Sequence, residues 1–172
     1  MALFFIVAAV VLRLVPHLPN FAPIAALALF GGTYLNKRYA LGIPLLAMLI
    51  SDYFIGFYNL WIMLSVYGSF LLIGLIGLWL KNHKTVANIF GASLVGSILF
   101  FLVTNFAVWA VPGSMYLHNL QGLMQSYIMG LPFFRNTLMG DLFYTAAMFG
   151  LYELVLYLTV RRRKICPVSS KN

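Results

Sequence analysis

Long apolar runs broken by short basic clusters organise this chain. Lys37-Arg38, Lys81 with Lys84, and the run Arg161 to Lys164 are the breaks. The apolar stretches between them predict six helices, over residues 2–15, 21–35, 39–58, 60–80, 86–111 and 136–160. A helix of ~20 apolar residues matches the thickness of bilayer hydrocarbon. Lys and Arg favour the cytoplasmic side, so three clusters on one side require the intervening stretches to cross in pairs. The expectation is therefore six transmembrane helices with both termini cytoplasmic.

Local signals refine these spans. The first, from Ala2 to Val15, covers only about 21 Å at ~1.5 Å per residue, and the second is similarly short. Met1 leads straight into Ala2-Leu3-Phe4-Phe5, without a basic leader or a small-residue cleavage site, so the first span is expected to be retained. Asn20 is read as the N-cap of the second span, with Pro23 in its first turn. Asn59 almost alone joins the third span to the fourth, which predicts a tight helical hairpin. The fifth and sixth are long enough to tilt. Between them, residues 112–135 read as an external lid. Leu117, Leu120, Met124 and Tyr127 follow i, i+3, i+7, i+10, the spacing of a short amphipathic helix, and Gly122, Gly130 and Pro132 offer flexing points. Residues 1–160 form one domain, and 161–172 a basic cytoplasmic tail.

Composition fixes the class. With 63% hydrophobic and 8% charged residues and a mean hydropathy of +0.95, the chain lacks the polar groups to cover itself in water. An all-α integral protein of the cell membrane is expected, with the lipid bilayer as its solvent. The net charge of +8 is explained by orientation and anionic headgroups, so no nucleic-acid partner is expected. Cys166, the single cysteine, has no intramolecular disulfide partner. It reads as an inert thiol, with palmitoylation as the alternative.

The polar residues inside the spans supply the candidate chemistry. Asp52, Gly56 and Asn59 share one helical face, as do Ser97, Thr104, Asn105 and Trp109, and again Thr137, Asp141, Tyr144 and Thr145. All three stripes fall in the outer half. An ionised Asp facing lipid costs ~2.5–3.5 kcal/mol on insertion scales, so Asp52 and Asp141 predict a shared interior or a watery cavity, with Arg13 and Arg135 the cations in reach. The candidate substrate-binding residues are Arg13, Asn20, Asp52, Asn59, Asn105, Trp109, His118, Arg135, Asn136 and Asp141. At least one Asp is expected to pair with Arg13 or Arg135. A plainer reading stands beside this one. Ser, Thr and Asn often serve as interhelical glue worth ~0.6 kcal/mol, Asp–Arg pairs lock helices together, and Trp61, Tyr67, Trp109 and Tyr116 suit an interfacial aromatic belt. Glu153, the one acid of the inner half, would orient a helix or contact a partner.

Catalytic and cofactor signatures are poor. Gly91-Ala92-Ser93 is not an intramembrane serine protease motif, and all three His lie in loops, away from Ser93. No carboxylates sit at metal-ligand spacing, and His17 with His118 is the one pair that could meet as ligands of a metal-containing solute. The phosphate-binding signature of ATPases is absent. No enzyme activity, cofactor or resident metal is expected.

Three stretches carry a resemblance: RLVPHLPNFAPIAALALFGG (Arg13 to Gly32), SDYFIGFY (Ser51 to Tyr58) and LPFFRNTLMGDLFYTAAMFG (Leu131 to Gly150). They resemble a bacterial family catalogued as a domain of unknown function, whose members are described as candidate transport proteins. That family is in turn similar to the substrate-binding S-components of energy-coupling-factor (ECF) vitamin transporters. The resemblance implies a six-helix S-component-like bundle, an external pocket for a small vitamin-like solute, and docking to a transmembrane coupling protein driven by ATPases. One departure concerns docking: the Ala-x-x-x-Ala motif common in the first span of S-components is missing there, and only Ala22 and Ala26 of the second span have that spacing. The expected function is a solute-binding transport component. The alternatives are a small structural or assembly membrane protein and, third, an intramembrane enzyme.

Overall fold

The computed structural model describes residues 2–15 and 19–165, except for the side chains of residues 5 and 161–165. His17, Cys166 and the tail beyond residue 165 lie outside the described residues. Six helices follow in order: α1 (Ala2–Leu14), α2 (Ile24–Tyr34), α3 (Gly42–Ile55), α4 (Leu60–Leu80), α5 (Val86–Ala110) and α6 (Leu120–Ile165), with no strand among the described residues. Helices α4, α5 and α6 are long and apolar enough to cross a membrane, while α1, α2 and α3 are shorter apolar helices.

The shortest helix occupies the centre. Helix α2 packs against all five others, and Ala25 through Thr33 are buried without interruption. Its contact with α4 is backbone on backbone. A Cβ at Gly32 would lie 2.3 Å from the Gly74 carbonyl oxygen, and one at Gly77 would lie 2.4 Å from that of Leu29, so neither position has room for a side chain. Thr33 Oγ1 sits 3.2 Å from Gly77 O in the same seam. Five neighbours shield α2 from the surroundings, so it need not span any thickness itself. The outward faces of the surrounding helices are strongly apolar, with Phe4, Leu46, Tyr53, Phe54, Leu64, Val86, Val95 and Leu102 all exposed. Apolar exposure this extensive is what a lipid-facing surface requires.

One end of the bundle gathers the basic breaks. Lys81 Nζ donates to Leu35 O at 2.8 Å, joining the end of α4 to the end of α2. Glu153 on α6 accepts a hydrogen bond from Tyr34 Oη at 2.5 Å and pairs with Lys84 in the α4–α5 connection. Glu153 therefore ties α2, α6 and that connection together, the helix-orienting role among its expected ones.

Three expectations need correction. Residues 112–135 do not form a separate lid, because α6 begins at Leu120 and runs through Pro132 without a break. Leaving the helix at Pro132 would strand several backbone groups in apolar surroundings, a larger cost than the one hydrogen bond that proline removes. Ser126 Oγ donates to Asn105 O at 2.8 Å and Tyr127 Oη to Leu102 O at 3.1 Å, holding this stretch against α5. Gly130 is no flexing point either, since a Cβ there would meet Asn105 Oδ1 at 2.3 Å. Second, Asn20 does not cap α2, which starts after Pro23 with no side-chain cap. Third, Asn59 does not continue the face of Asp52. Gly56, at φ 108°, ends α3 at Ile55, and Asn59 caps α4 by accepting from Trp61 N at 3.0 Å and Ile62 N at 3.4 Å.

Candidate functional site

The late start of α2 creates a cavity. At the end opposite the basic breaks the chain turns through Pro19 and Asn20, and Asn20 adopts a left-handed φ of 62°, a conformation that Asn tolerates better than most residues. The helix then begins only at Ile24, so the centre of the bundle is unfilled above Ile24 and Ala25. Two adjoining compartments of about 250 and 410 Å³ occupy the space. Both are lined by Arg13, Asn20, Ile24, Phe70, Phe100 and Thr137. Asp141 closes the smaller, and Tyr58, Thr104, Asn105, Phe133 and Phe134 extend the larger.

Two carboxylates stand behind and in this wall. Asp52 is 1% exposed and is met from both sides: Arg13 Nη2 donates to Oδ1 at 2.5 Å and Tyr67 Oη to Oδ2 at 2.7 Å. Arg13 Nη1 also donates to Met48 O at 3.1 Å and contacts Ser51 Oγ. A cation at the end of α1 thus locks α3, and α4 contributes the tyrosine. Asp141 is 3% exposed, and its partner is the neutral Ser97 Oγ at 2.7 Å. Among the described residues the ion pairs are Arg13–Asp52 and Lys84–Glu153, and neither includes Asp141.

The other candidates divide. Asn20 and Asn105 line the cavity, although Asn105 Nδ2 is engaged by Phe101 O at 2.8 Å. Asn136 donates to Pro19 O at 3.0 Å and so pins the α1–α2 turn to α6. Trp109 donates from Nε1 to Leu117 O at 2.9 Å, and exposed His118 packs edge-on against its ring, so both shape the α5–α6 connection. Asn59 is a helix cap, and Arg135 lies on the exposed side of α6 with no ion pair among the described residues. Asn59, Trp109, His118, Arg135 and Asn136 are absent from the lining of both compartments, and Asp52 lies behind Arg13. Sequence reasoning missed Tyr67, Phe70 and Phe100 as site residues. Tyr67 looked like a member of the aromatic belt, and the two phenylalanines resemble every other apolar position in their spans. Ser97 carried a usable signal, its place on the polar face of α5.

Among the described residues no three His, Cys, Asp or Glu side chains gather as a metal site would require. The Ala22/Ala26 pair faces inward, with Ala26 1% exposed and Ala22 in the cavity wall.

Fold and site together define an all-helical bundle with an apolar exterior, a helix buried at its centre and a charged cavity at one end. The chain belongs to DUF6580, a family of unknown function, which it matches over residues 1–165. No curated protein and no solved structure matches it.

Proposed function

We propose that the protein is a polytopic component of the cell membrane that binds a small solute, of the vitamin or micronutrient type, in this cavity for uptake. In this reading all six helices form the membrane-embedded bundle. The basic breaks face the cytoplasm and the cavity faces outside, as positive-inside bias favours. The carrying observation is Asp141, a carboxyl group buried in a cavity wall whose partner among the described residues is a neutral hydroxyl. Intramembrane ionisable groups are expensive and mark solute or ion pathways. The resemblance to ECF S-components supports uptake. With Ala22 and Ala26 turned inward, a coupling module would have to dock on another face, or the protein works without one.

Asp52 favours the second reading, a purely structural bundle, for its own part of the site. It is fully satisfied by Arg13 and Tyr67 and acts as a lock between helices.

Native mass spectrometry of protein extracted in lipid nanodiscs tests the solute reading. The wild type is expected to release a small molecule on denaturation that Asp141→Asn does not retain. Identical or absent cargo in both would contradict it. In a Cys166→Ser background, His118→Cys should react with an impermeant thiol reagent from outside and His83→Cys should not; the reverse would overturn the orientation.

A further inference from the structure

Resting on that reading and deepening it, we infer that the cavity selects a small organic monocation, an amine or quaternary ammonium, with Asp141 as its counter-ion. Among the described residues, Arg13 and Asp141 are the charged side chains in its lining. The Arg13 charge is already balanced by Asp52, which sits 2.5 Å away. Among the described residues, the Asp141 carboxyl is met by a neutral hydroxyl and by no cation. Arg13 and Asp52 cancel, so an ionised Asp141 leaves the wall one net negative charge, and a ligand with one positive charge both favours that ionised form and neutralises it.

An anionic ligand fares worse on two counts. It would face Asp141, and the guanidinium it could approach already has its charge balanced by Asp52 and donates to Met48 O as well. The remaining lining suits a cation. Phe70 and Phe100, stacked with centroids 5.2 Å apart, line the same compartment as Asp141, and aromatic faces attract ammonium groups. Asn20 and Thr137 add neutral acceptors. About 250 Å³ around Asp141 limits the charged head to a small group, and the adjoining 410 Å³ can take an apolar or aromatic remainder.

The test reads the electrostatic bias of the cavity without knowing its natural ligand. In a Cys166→Ser background, Ala22→Cys places a single thiol in the wall. Its reaction rates with trimethylammonioethyl, sulfonatoethyl and methyl methanethiosulfonate, each divided by the rate with a free thiol, report the local potential. The cationic reagent should be favoured over the anionic one by at least about tenfold, the lower end of what charged, low-dielectric clefts achieve. Asp141→Asn should bring the ratio near one, and Asp141→Glu should retain it. Equal normalised rates in the Asp141 protein would overturn the cation inference and leave the solute cavity standing. No reaction with any reagent in folded protein would contradict the open cavity, and with it the proposed function. Should Asp141→Asn fail to fold, protection decides: benzyltrimethylammonium should slow modification by the neutral reagent, whereas benzyl alcohol and phenylacetate should not. Equal protection by all three, or protection by phenylacetate, overturns the inference.

Discussion

Asp52 and Asp141 are almost equally buried, 1% and 3% exposed, and they lie near the same end of the same bundle. Around Asp52 the protein has assembled a guanidinium, a phenol and a neighbouring serine on that guanidinium, drawn from three helices. Around Asp141 it supplies one serine hydroxyl and a cavity. Burial alone therefore does not separate a charge that locks the fold from one that the proposed function would use. The difference lies in what compensates the charge. Where a cation is built into the fold, removing it costs stability; where a neutral hydroxyl meets the carboxyl, the group borders a cavity.

That contrast can be broken at the Asp52 side first. Arg13→Met leaves Asp52 buried without its cation and should cost about 3–5 kcal/mol, read as a fall in melting temperature in detergent. The double variant Arg13→Met/Asp52→Leu should recover much of the loss, because both charges leave together. A double variant no more stable than the single one would mean that Asp52 is not held for its ion pair. Tyr67→Phe removes a hydrogen bond to a charged group and should cost about 1.5–3 kcal/mol by the same measurement. At the Asp141 side, Ser97→Ala takes the hydroxyl from a buried carboxyl and should cost about 1–3 kcal/mol by the same measurement, while also altering the retention of cavity ligands.

Much of this arrangement was legible in the chain, for reasons that differ by element. Helices α4 and α5 fall within a residue of where the apolar runs place them, because apolar runs this long between basic breaks have no other stable form. The end of α3 at Gly56 was harder to see, since Asp52, Gly56 and Asn59 keep helical spacing while the backbone has already turned. Helix α6 was misjudged for the opposite reason. Gly130 and Pro132 look like breaks, yet Gly130 is the small residue that admits Asn105, and Pro132 rides inside a continuous helix. The pairing of Arg13 with Asp52 was foreseeable from the cost of buried charge. That Arg135 would stay out of it was not, because which face of α6 turns inward depends on packing against α5. The aromatic lining was invisible in sequence, as position in three dimensions is all that distinguishes Phe70 and Phe100 from their neighbours.

The division of labour between the two carboxylates is tested most directly by measuring the melting temperatures of Asp52→Asn and Asp141→Asn side by side in the same detergent. Asp52→Asn disturbs a buried ion pair and should lose several kcal/mol, about 3–5 on the scale of such sites. Asp141→Asn keeps an oxygen for the Ser97 hydroxyl and orphans no cation, so its stability should stay within about 1 kcal/mol of the wild type. Equal losses in the two variants would contradict the account, since both carboxylates would then be serving the fold.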